Sequence, residues 1–173
     1  MSNNKKRKSL SRREFVTRTA TAVAGFTIVP SFAVSGLGHV APSDKLNIIG
    51  IGVGGMGLAN LKNLTSQNIV GLCDVDWKYA KGAFDLFPKA KKYWDWRKMY
   101  DEMEGEFDAV VIATADHTHA ITAAHAMTMG KHVYLQKPLT HSVYESRLLT
   151  KLAAKHQVAT QMGNQGASGA GVA

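Results

Sequence analysis

The sequence predicts an α/β fold, a doubly wound parallel sheet with helices on both faces. Three observations favour it: short apolar, β-branched runs recur after residue 45, helical patterns separate them, and the connections are short. Parallel strands joined through helices imply right-handed crossovers. Ligands of such sheets bind at the carboxyl ends of the strands, so functional residues are expected in the loops that follow the strands.

The predicted elements follow one another along the chain. The first strand covers 45–51 and leads through a glycine-rich turn into a helix over 58–64. Further strands are predicted over 68–73, 91–93, 107–114, 132–135 and 157–162, and further helices over 77–87, 96–103, 119–129 and 142–155. The strand ends bring five segments to one edge of the sheet: 52–57, 74, 114–119, 136–138 and 163–165. The last of these contains Asn164, a candidate for cofactor contact.

The turn after the first strand has the spacing of the dinucleotide fingerprint GxGxxG, with glycines at Gly52, Gly54 and Gly57. The first glycine permits a tight turn, the second lets the pyrophosphate approach the backbone, and the third allows close helix packing. The pyrophosphate would lie at the helix N-terminus. A second register, beginning at Gly50, also fits, but it ends the strand early. The candidate cofactor site also includes the other residues of this turn, Val53, Gly55 and Met56.

Asp74 follows the second strand and lies 22 positions beyond Gly52, where a carboxylate accepts the hydroxyls of the adenosine ribose. Its charge would repel a 2′-phosphate, and no arginine follows within 75–78, so the sequence favours NAD over NADP. Lys78 is a cation close in sequence that moderates this preference. The alternatives are an ordinary glycine-rich turn and an aspartate that caps a helix.

Two further strand ends carry candidate catalytic residues. Lys137 precedes Pro138, which rigidifies the loop, so its ammonium could bind a substrate hydroxyl and help remove the proton. The alternative is a solvated loop lysine. His119 is a second candidate for ligand contact and catalysis, while capping of the helix by Asp116 or Thr118 is the other use of this segment. The histidines are not spaced as metal ligands, and no metal is expected.

An aromatic group follows the third predicted strand. Its members are Tyr93, Trp94, Trp96 and Tyr100. They could form a surface for a ligand, but packing in the core is the favoured interpretation.

Composition and charge exclude several classes of protein. The 173 residues are 45% hydrophobic and 20% charged, which argues against disorder. Most of the net charge of +8 comes from residues 1–18, which hold seven basic residues and one acidic residue. The 14 basic and 12 acidic residues that remain give no basic surface for nucleic acid. Cys73 is the single cysteine, which excludes an internal disulfide and a CxxC pair.

The first 33 residues have the pattern of an export signal. A basic start precedes an apolar stretch over 20–34, and between them lies a match to the twin-arginine motif, Ser11-Arg12-Arg13-Glu14-Phe15-Val16. The stretch is shorter than the about 20 apolar residues that span a bilayer. We expect a signal peptide over 1–33 cleaved near Ala33, a linker over 34–44, and a periplasmic or otherwise exported protein that uses the twin-arginine machinery. A basic amphipathic helix that stays attached is the alternative.

Four segments resemble the N-terminal domain of the Gfo/Idh/MocA oxidoreductases, which are sugar-handling enzymes that depend on nicotinamide cofactors. These segments are Gly52-Val53-Gly54-Gly55-Met56-Gly57, Cys73-Asp74-Val75-Asp76, Ala113-Thr114-Ala115-Asp116-His117-Thr118-His119 and Gln136-Lys137-Pro138-Leu139. The resemblance implies a Rossmann-like NAD(P)-binding domain over 45–165. The leader and the segment 161–166 are similar to the exported, twin-arginine subgroup of the family.

The resemblance implies a role for each matching residue. The pyrophosphate would be bound by the three glycines and the ribose by Asp74, while the nicotinamide side would be lined by Thr114 and His119, and Lys137 would contact the nicotinamide ribose and the substrate. The family usually has Glu-Lys-Pro where this chain has Gln136 before Lys137. A negative charge near the ribose is therefore absent, and we expect cofactor binding to be modified rather than lost. Ala115 stands where many members have proline.

The resemblance also implies more chain than is present. Family members continue into a second α/β domain that supplies substrate contacts and the oligomer interface, whereas this sequence ends after a run of small residues over 166–173. We interpret it as a truncated form that lacks the second domain, with a flexible tail. A homo-oligomer is expected for the full-length form.

Three functions follow from the resemblance. The first is hydride transfer between nicotinamide and a hydroxyl or carbonyl group of a sugar or polyol. The second is NAD-dependent glycoside hydrolysis, in which a sugar is transiently oxidised, its substituent is eliminated and the cofactor is restored. The third is a nucleotide-binding fragment without catalysis. The substrate would be a sugar, polyol or glycoside in the first two cases.

Overall fold

A computed structural model describes residues 44–168. The expected signal peptide and most of the linker, 1–43, and the last residues of the tail, 169–173, lie outside the described residues. Six parallel strands form one sheet in the order β3-β2-β1-β4-β5-β6. Their bounds are β1 Asn47–Ile51, β2 Asn68–Cys73, β3 Lys91–Tyr93, β4 Ala109–Ile112, β5 His132–Gln136 and β6 Thr160–Gly163. This order belongs to the doubly wound dinucleotide-binding fold, which confirms the predicted fold class.

Between residues 44 and 168, six helices connect or follow the strands. Their bounds are α1 Gly55–Lys62, α2 Lys81–Leu86, α3 Trp96–Met103, α4 Asp116–Thr128, α5 Val143–His156 and α6 Gln165–Ser168. Helix α2 begins later than predicted because the Asp76 carboxylate accepts a hydrogen bond from the backbone N of Tyr79, which folds 76–79 into a turn. Strand β6 begins later than predicted because Gln157 ends α5 in the left-handed conformation, with φ of 54°.

The strand register aligns the carboxyl ends of the strands. Ile51 pairs with Cys73 on one side and with Ile112 on the other. The same row continues outward to Tyr93 in β3 and to Leu135 and Met162 in β5 and β6. The residues after this row therefore lie at one edge of the sheet. The crossovers reverse direction between β1 and β4, which is where a doubly wound sheet opens a crevice.

The two faces of the sheet carry separate cores. One core joins the strands to α3, α4 and α5 through residues such as Met99, Ala123 and Leu149. The other joins β1 and β2 to α1 and α2 through residues such as Leu61 and Phe84. Helices on both faces hold the central strands in place, so the strand ends form a rigid floor for a site. Within 44–168, no helix has both the length and the apolar character that crossing a bilayer requires.

Two buried acidic groups in the core, the Cys73 thiol and the Tyr100 hydroxyl, should make the free energy of unfolding depend on pH in the alkaline range. Burial, with the nearby charges of Asp74 and Asp95, raises the pKa of Cys73 to about 12. Burial, and then the nearby Cys73, raises the pKa of Tyr100 well above its usual value. Both groups keep their protons in the folded chain, while an unfolded chain begins to release them near pH 9. We therefore expect the free energy of unfolding to fall as pH rises above about 9.

Urea unfolding measured at a series of pH values checks this expectation. Below about pH 8 both groups are protonated in the folded and in the unfolded chain, so they should not make the free energy of unfolding depend on pH. Replacing Cys73 with alanine removes one of the two protons, so Cys73→Ala should flatten the decline above pH 9. If the free energy of unfolding of Cys73→Ala fell with pH as steeply as that of the unsubstituted chain, the assignment of a buried, protonated thiol would be wrong.

Candidate functional site

A pocket of about 630 Å³ opens at the carboxyl edge of the sheet beside β1 and β4. Its walls come from four strand ends that are far apart in sequence. The lining residues used below are Gly52, Gly54, Asp74, Tyr79, Trp94, Trp96, Arg97, Thr114 and His117. The pocket therefore lies where the topology of the sheet places ligands.

The glycine-rich turn forms the floor of this pocket with its backbone. Gly52 has a φ of +73°, and a Cβ atom there would lie 2.7 Å from the carbonyl carbon and oxygen of Ala113. A Cβ atom at Gly57 would overlap the carbonyl oxygen of Gly52. The turn and α1 can thus approach β4 this closely only with glycine at both positions. This supports the register that begins at Gly52, because the close approach requires glycine at position 57, which has no role in the register that begins at Gly50.

Asp74 holds the turn in place with its carboxylate. Oδ2 accepts hydrogen bonds from the backbone N of Val53, at 2.8 Å, and of Gly54, at 3.1 Å. Oδ1 accepts one from the backbone N of Asp76, at 2.9 Å. The carboxylate is partly buried and lines the pocket. Asp74 therefore has two tasks, since it shapes the turn and offers a negative acceptor beside it.

The side walls bring in Arg97, which the sequence did not indicate, beside two members of the aromatic group, Trp94 and Trp96. Arg97 lies at the start of α3, with its guanidinium 4.5 Å from the centre of the Trp96 ring and 3.3 Å from the Asp95 carboxylate. Trp94 stacks on Trp77 at 4.5 Å between ring centres and is exposed. One signal in the sequence could have indicated these residues: 94–97 directly follow the short predicted strand over 91–93. Only the position of β3 beside β2 brings these residues to Asp74.

The aromatic group is divided between core and pocket. Tyr93 and Tyr100 are buried in the core, and the Tyr100 hydroxyl donates to the Thr122 carbonyl at 3.2 Å. Trp94 and Trp96 line the pocket. The prediction of core packing therefore holds for the tyrosines and in part for Trp96, which packs against the same core while it lines the pocket. Trp94 is exposed and belongs to the aromatic surface that was the alternative.

The profile of a protein family described as "Oxidoreductase family, NAD-binding Rossmann fold", Gfo/Idh/MocA, matches residues 45–164. The chain belongs to this family. The pocket fits the family's dinucleotide, because the glycine turn and Asp74 line it together at the carboxyl edge of the sheet. This part of the chain is a Gfo/Idh/MocA NAD-binding Rossmann domain, and the prediction of its cofactor class is confirmed.

Individual relatives agree with this membership. A "Glycosyl hydrolase family 109 protein" of Shewanella pealeana is 26% identical over 172 residues, which covers 86% of this chain and 38% of the relative. Myo-inositol 2-dehydrogenase from Lactobacillus plantarum shares the fold, with a TM-score of 0.65 at 22% identity over 73% of this chain and 38% of that chain. GenD2 from gentamicin A biosynthesis, solved in complex with NAD, has a TM-score of 0.61 at 26% identity over 69% of this chain and 34% of that chain. The chain spans less than half the length of each.

In this Gfo/Idh/MocA domain, His119 connects two loops. The ring is fully buried, with Nδ1 2.8 Å from the Pro138 carbonyl and Nε2 3.0 Å from the Thr114 carbonyl. Both partners are carbonyl oxygens, so each ring nitrogen can make its hydrogen bond only as an N–H donor. The ring joins the loop after β4 to the loop after β5, and both nitrogens point at protein atoms. This differs from the expected contact with a ligand, because a strand-end motif does not reveal that its histidine turns inward.

Thr114 remains at the pocket. It is half-buried, lines the pocket, and its hydroxyl accepts a hydrogen bond from the Thr118 hydroxyl at 2.7 Å. Thr118 also donates to the Ala115 carbonyl, so it closes the first turn of α4. The cap of this helix is Ala115, which uses no side chain. Neither Thr118 nor Asp116 therefore caps this helix with its side chain, and Asp116 supplies only a negative charge in the first turn.

Lys137 lies at the carboxyl end of β5 with an exposed side chain. Its backbone N donates to Gln136 Oε1 at 3.1 Å, and the next residue, Pro138, is bound through its carbonyl by His119. The backbone is therefore held on both sides of Lys137 while the ammonium faces solvent. It does not line the 630 Å³ pocket, which contains the glycine turn, Asp74 and Thr114.

Gln136, where the family usually has glutamate, belongs to a cluster of amides. Its side chain is buried, and Oε1 also accepts from Gln165 Nε2 at 3.1 Å. The same Gln165 group lies 3.2 Å from Asn60 Oδ1 and 3.3 Å from the Tyr134 hydroxyl. Gln136 Nε2 is buried and has no hydrogen-bond partner among residues 44–168. A glutamate could not donate there, so the substitution changes an acceptor into a donor.

The remaining candidates lie at the rim. Asn164 is exposed after β6, and its backbone N bonds the Met162 carbonyl at 3.1 Å. Met56 and Gly55 are exposed at the start of α1, whereas Val53 is buried beneath the turn. The structure brings Gly52, Gly54, Asp74 and Thr114 into one pocket and leaves Gln136, Lys137 and Asn164 beside it. Within the described part of the chain, no cluster of His, Cys, Asp and Glu is arranged for a metal ion.

Proposed function

We propose that this chain is the cofactor-binding part of an oxidoreductase that transfers hydride between NAD and a hydroxyl or carbonyl group of a sugar or polyol. The observation that carries the proposal is the Asp74 carboxylate, held against the amides of Val53 and Gly54 inside the 630 Å³ pocket. A carboxylate there can accept both ribose hydroxyls of a dinucleotide. Sugar-type substrates are supported by relatives that are named for glycoside hydrolysis and for inositol oxidation.

The same carboxylate favours NAD over NADP. A 2′-phosphate would place two negative groups within a few ångströms of each other, which is unfavourable in a partly buried pocket. Arg97 acts against this preference for NAD, because its positive charge lines the same pocket. Its guanidinium is already paired with Asp95 and stacked on Trp96, so less of its charge is available to a phosphate. We therefore propose that NAD is the preferred cofactor.

Lys137 is the proposed catalytic residue. Nicotinamide, when bound, accepts or supplies the hydride. The Lys137 ammonium can donate a hydrogen bond to the oxygen of the reacting carbon and can exchange a proton with it at Nζ. The anchors on both sides, Gln136 Oε1 and the contact of His119 with Pro138, restrict where that nitrogen can reach. His119 is thus proposed as a positioning residue for the Lys137 loop.

NAD-dependent glycoside hydrolysis is the second candidate. It is favoured by the Shewanella pealeana relative, a "Glycosyl hydrolase family 109 protein" that aligns with 86% of this chain. Hydride removal and return on the same sugar would leave no net reduced cofactor. This property separates the two reactions experimentally.

One experiment tests these proposals together. The full chain is titrated with NAD and with NADP by calorimetry and then incubated with NAD and a panel of polyols and nitrophenyl glycosides. Net NADH supports the dehydrogenase, while release of nitrophenol that requires NAD without net NADH supports the glycoside hydrolase. Lys137→Met should lower either rate by about 10²-fold or more while NAD binding is retained. Absence of NAD binding would refute the cofactor site, and binding without turnover would favour the nucleotide-binding fragment.

We further propose export by the twin-arginine route, a cleaved leader over 1–33 and a linker over 34–44. The support is the segment Ser11-Arg12-Arg13-Glu14-Phe15-Val16, followed by a weakly apolar stretch. Replacing Arg12 and Arg13 with lysine tests this proposal. Retention of the doubly substituted chain in the cytoplasm is expected, and normal export would contradict the assignment.

A further inference from the structure

The segment Gly163-Asn164-Gln165 ends β6 and begins α6, and no step of the proposed function uses it. Gly163 pairs with Gln136 where β5 and β6 end. A Cβ atom at Gly163 would lie 2.1 Å from Gln136 Oε1 and 2.6 Å from the Tyr134 hydroxyl. Glycine at this position therefore leaves the Gln136 and Tyr134 side chains the space that they occupy beside β6.

Two donors meet the oxygen of the Gln136 side chain. The backbone N of Lys137 donates to Oε1, and so does Gln165 Nε2, each at 3.1 Å. Because both partners are N–H groups, only the oxygen of the amide can accept from them. The Nε2 atom is left buried and has no hydrogen-bond partner within residues 44–168. The Gln136 side chain is thus held in one of its two orientations.

Gln165 also reaches α1, the helix that follows the glycine-rich turn. Its Nε2 lies 3.2 Å from Asn60 Oδ1 on α1 and 3.3 Å from the Tyr134 hydroxyl on β5. Asn60 is 105 positions away from Gln165 in the sequence. One side chain therefore connects the start of α6 with α1 and with the strand that leads to Lys137.

We propose that Gln165 is a positioning residue for Lys137. It keeps Gln136 Oε1 turned toward the Lys137 backbone and so fixes the start of the loop from which the ammonium extends. The inference rests on the proposed function, in which Lys137 Nζ exchanges a proton with the substrate. A glutamate in place of Gln136 would need no such orientation, because both of its oxygens accept hydrogen bonds.

Amide hydrogen exchange of the full chain, followed by NMR without cofactor, tests the proposal at the Lys137 N–H. Gln165→Ala removes the donor that orients Gln136, so the Lys137 amide should exchange roughly three- to tenfold faster. Gln165→Glu should accelerate this exchange further, because a carboxylate attracts Gln136 Nε2 and turns Oε1 away from Lys137. Gln161→Ala is the matched control and should leave the exchange unchanged, since Gln161 is exposed on β6 and bonds the carbonyl of the next residue.

Rescue by Gln136→Glu separates positioning from a general loss of stability. Either oxygen of the glutamate accepts from Lys137, so adding Gln165→Ala to this variant should change the exchange of the Lys137 amide by less than about twofold. If Gln136→Glu does not fold, the larger effect of Gln165→Glu than of Gln165→Ala makes the same distinction. With a substrate that gives turnover, Gln165→Ala should lower kcat about tenfold and leave NAD affinity within about twofold.

Four results would overturn the assignment of Gln165. They are unchanged exchange at Lys137 in Gln165→Ala, an equal acceleration at the amide of Val133 on β5, no rescue by Gln136→Glu, and an unchanged kcat in Gln165→Ala. The exchange measurement requires neither cofactor nor substrate, so it decides whether Gln165 holds the Lys137 loop even if the chain binds no NAD. Failure of the unsubstituted chain to bind NAD would instead refute the proposed function itself.

Discussion

Replacing Gly57 with alanine should destabilise the fold by about 3 kcal/mol or more. The new Cβ atom would overlap the carbonyl oxygen of Gly52, which is backbone and cannot rotate away. Relief requires α1 to move off β1 and β4, and this movement would open the second core around Leu61. Urea unfolding followed by circular dichroism gives the change in the free energy of unfolding. We expect NAD binding to be lost as well, because the turn would shift.

Gly105→Ala is the matched control for this substitution. Nothing lies within 4 Å of a Cβ atom at Gly105, and its backbone is not in the left-handed region. The same chemical change should therefore alter stability by no more than about 0.5 kcal/mol. Equal effects of the two substitutions would show that overlap at Gly57 is not the cause.

Asp74→Ala should reduce both stability and cofactor binding. Three backbone N–H groups, of Val53, Gly54 and Asp76, lose their acceptor, and a hydrogen bond to a charged group makes a net contribution of about 1.5–3 kcal/mol. Because the site is only partly buried, we expect a total loss of about 2–4 kcal/mol. NAD affinity should fall by at least about 30-fold, since the ribose also loses its acceptor.

Two variants make this prediction specific. Asp74→Asn has one carbonyl oxygen, so it can serve either the turn or Asp76 but not both, and an intermediate loss is expected. Asp85→Ala removes an exposed aspartate that pairs with Lys81 on α2, and it should cost less than about 1 kcal/mol. If Asp74→Ala were as stable as Asp85→Ala, the carboxylate would not hold the turn. If it bound NAD normally, the ribose assignment would fail.

The local features of the domain could be predicted from the sequence because they depend on neighbouring residues. The alternation of apolar strands and helices defined the parallel sheet, and α3 has the predicted bounds, Trp96–Met103. The spacing from Gly52 to Asp74 predicted that the two residues lie close together, because a single βαβ unit of fixed geometry connects them. Helix starts were less accurate, since turns such as 76–79 are formed by single side-chain hydrogen bonds.

Several residues of the site could not be predicted in this way. Arg97 reaches the pocket because β3 pairs with β2, and Tyr79 reaches the turn because Asp76 folds its loop. Sequence periodicity describes which face a residue occupies, but it does not describe which distant loop that face meets.

The sequence by itself determined the fold class, the family and the cofactor class, because each is encoded in short segments with local geometry. The tertiary structure decided which strand-end residues share one pocket and which turn inward. His119 shows the difference: its motif places it at a strand end, but packing of α4 against the β5 loop directs both ring nitrogens to carbonyl groups. The contact with the Thr114 carbonyl is local, but the contact with the Pro138 carbonyl joins residues 19 positions apart and exists only once β4 and β5 have paired in register.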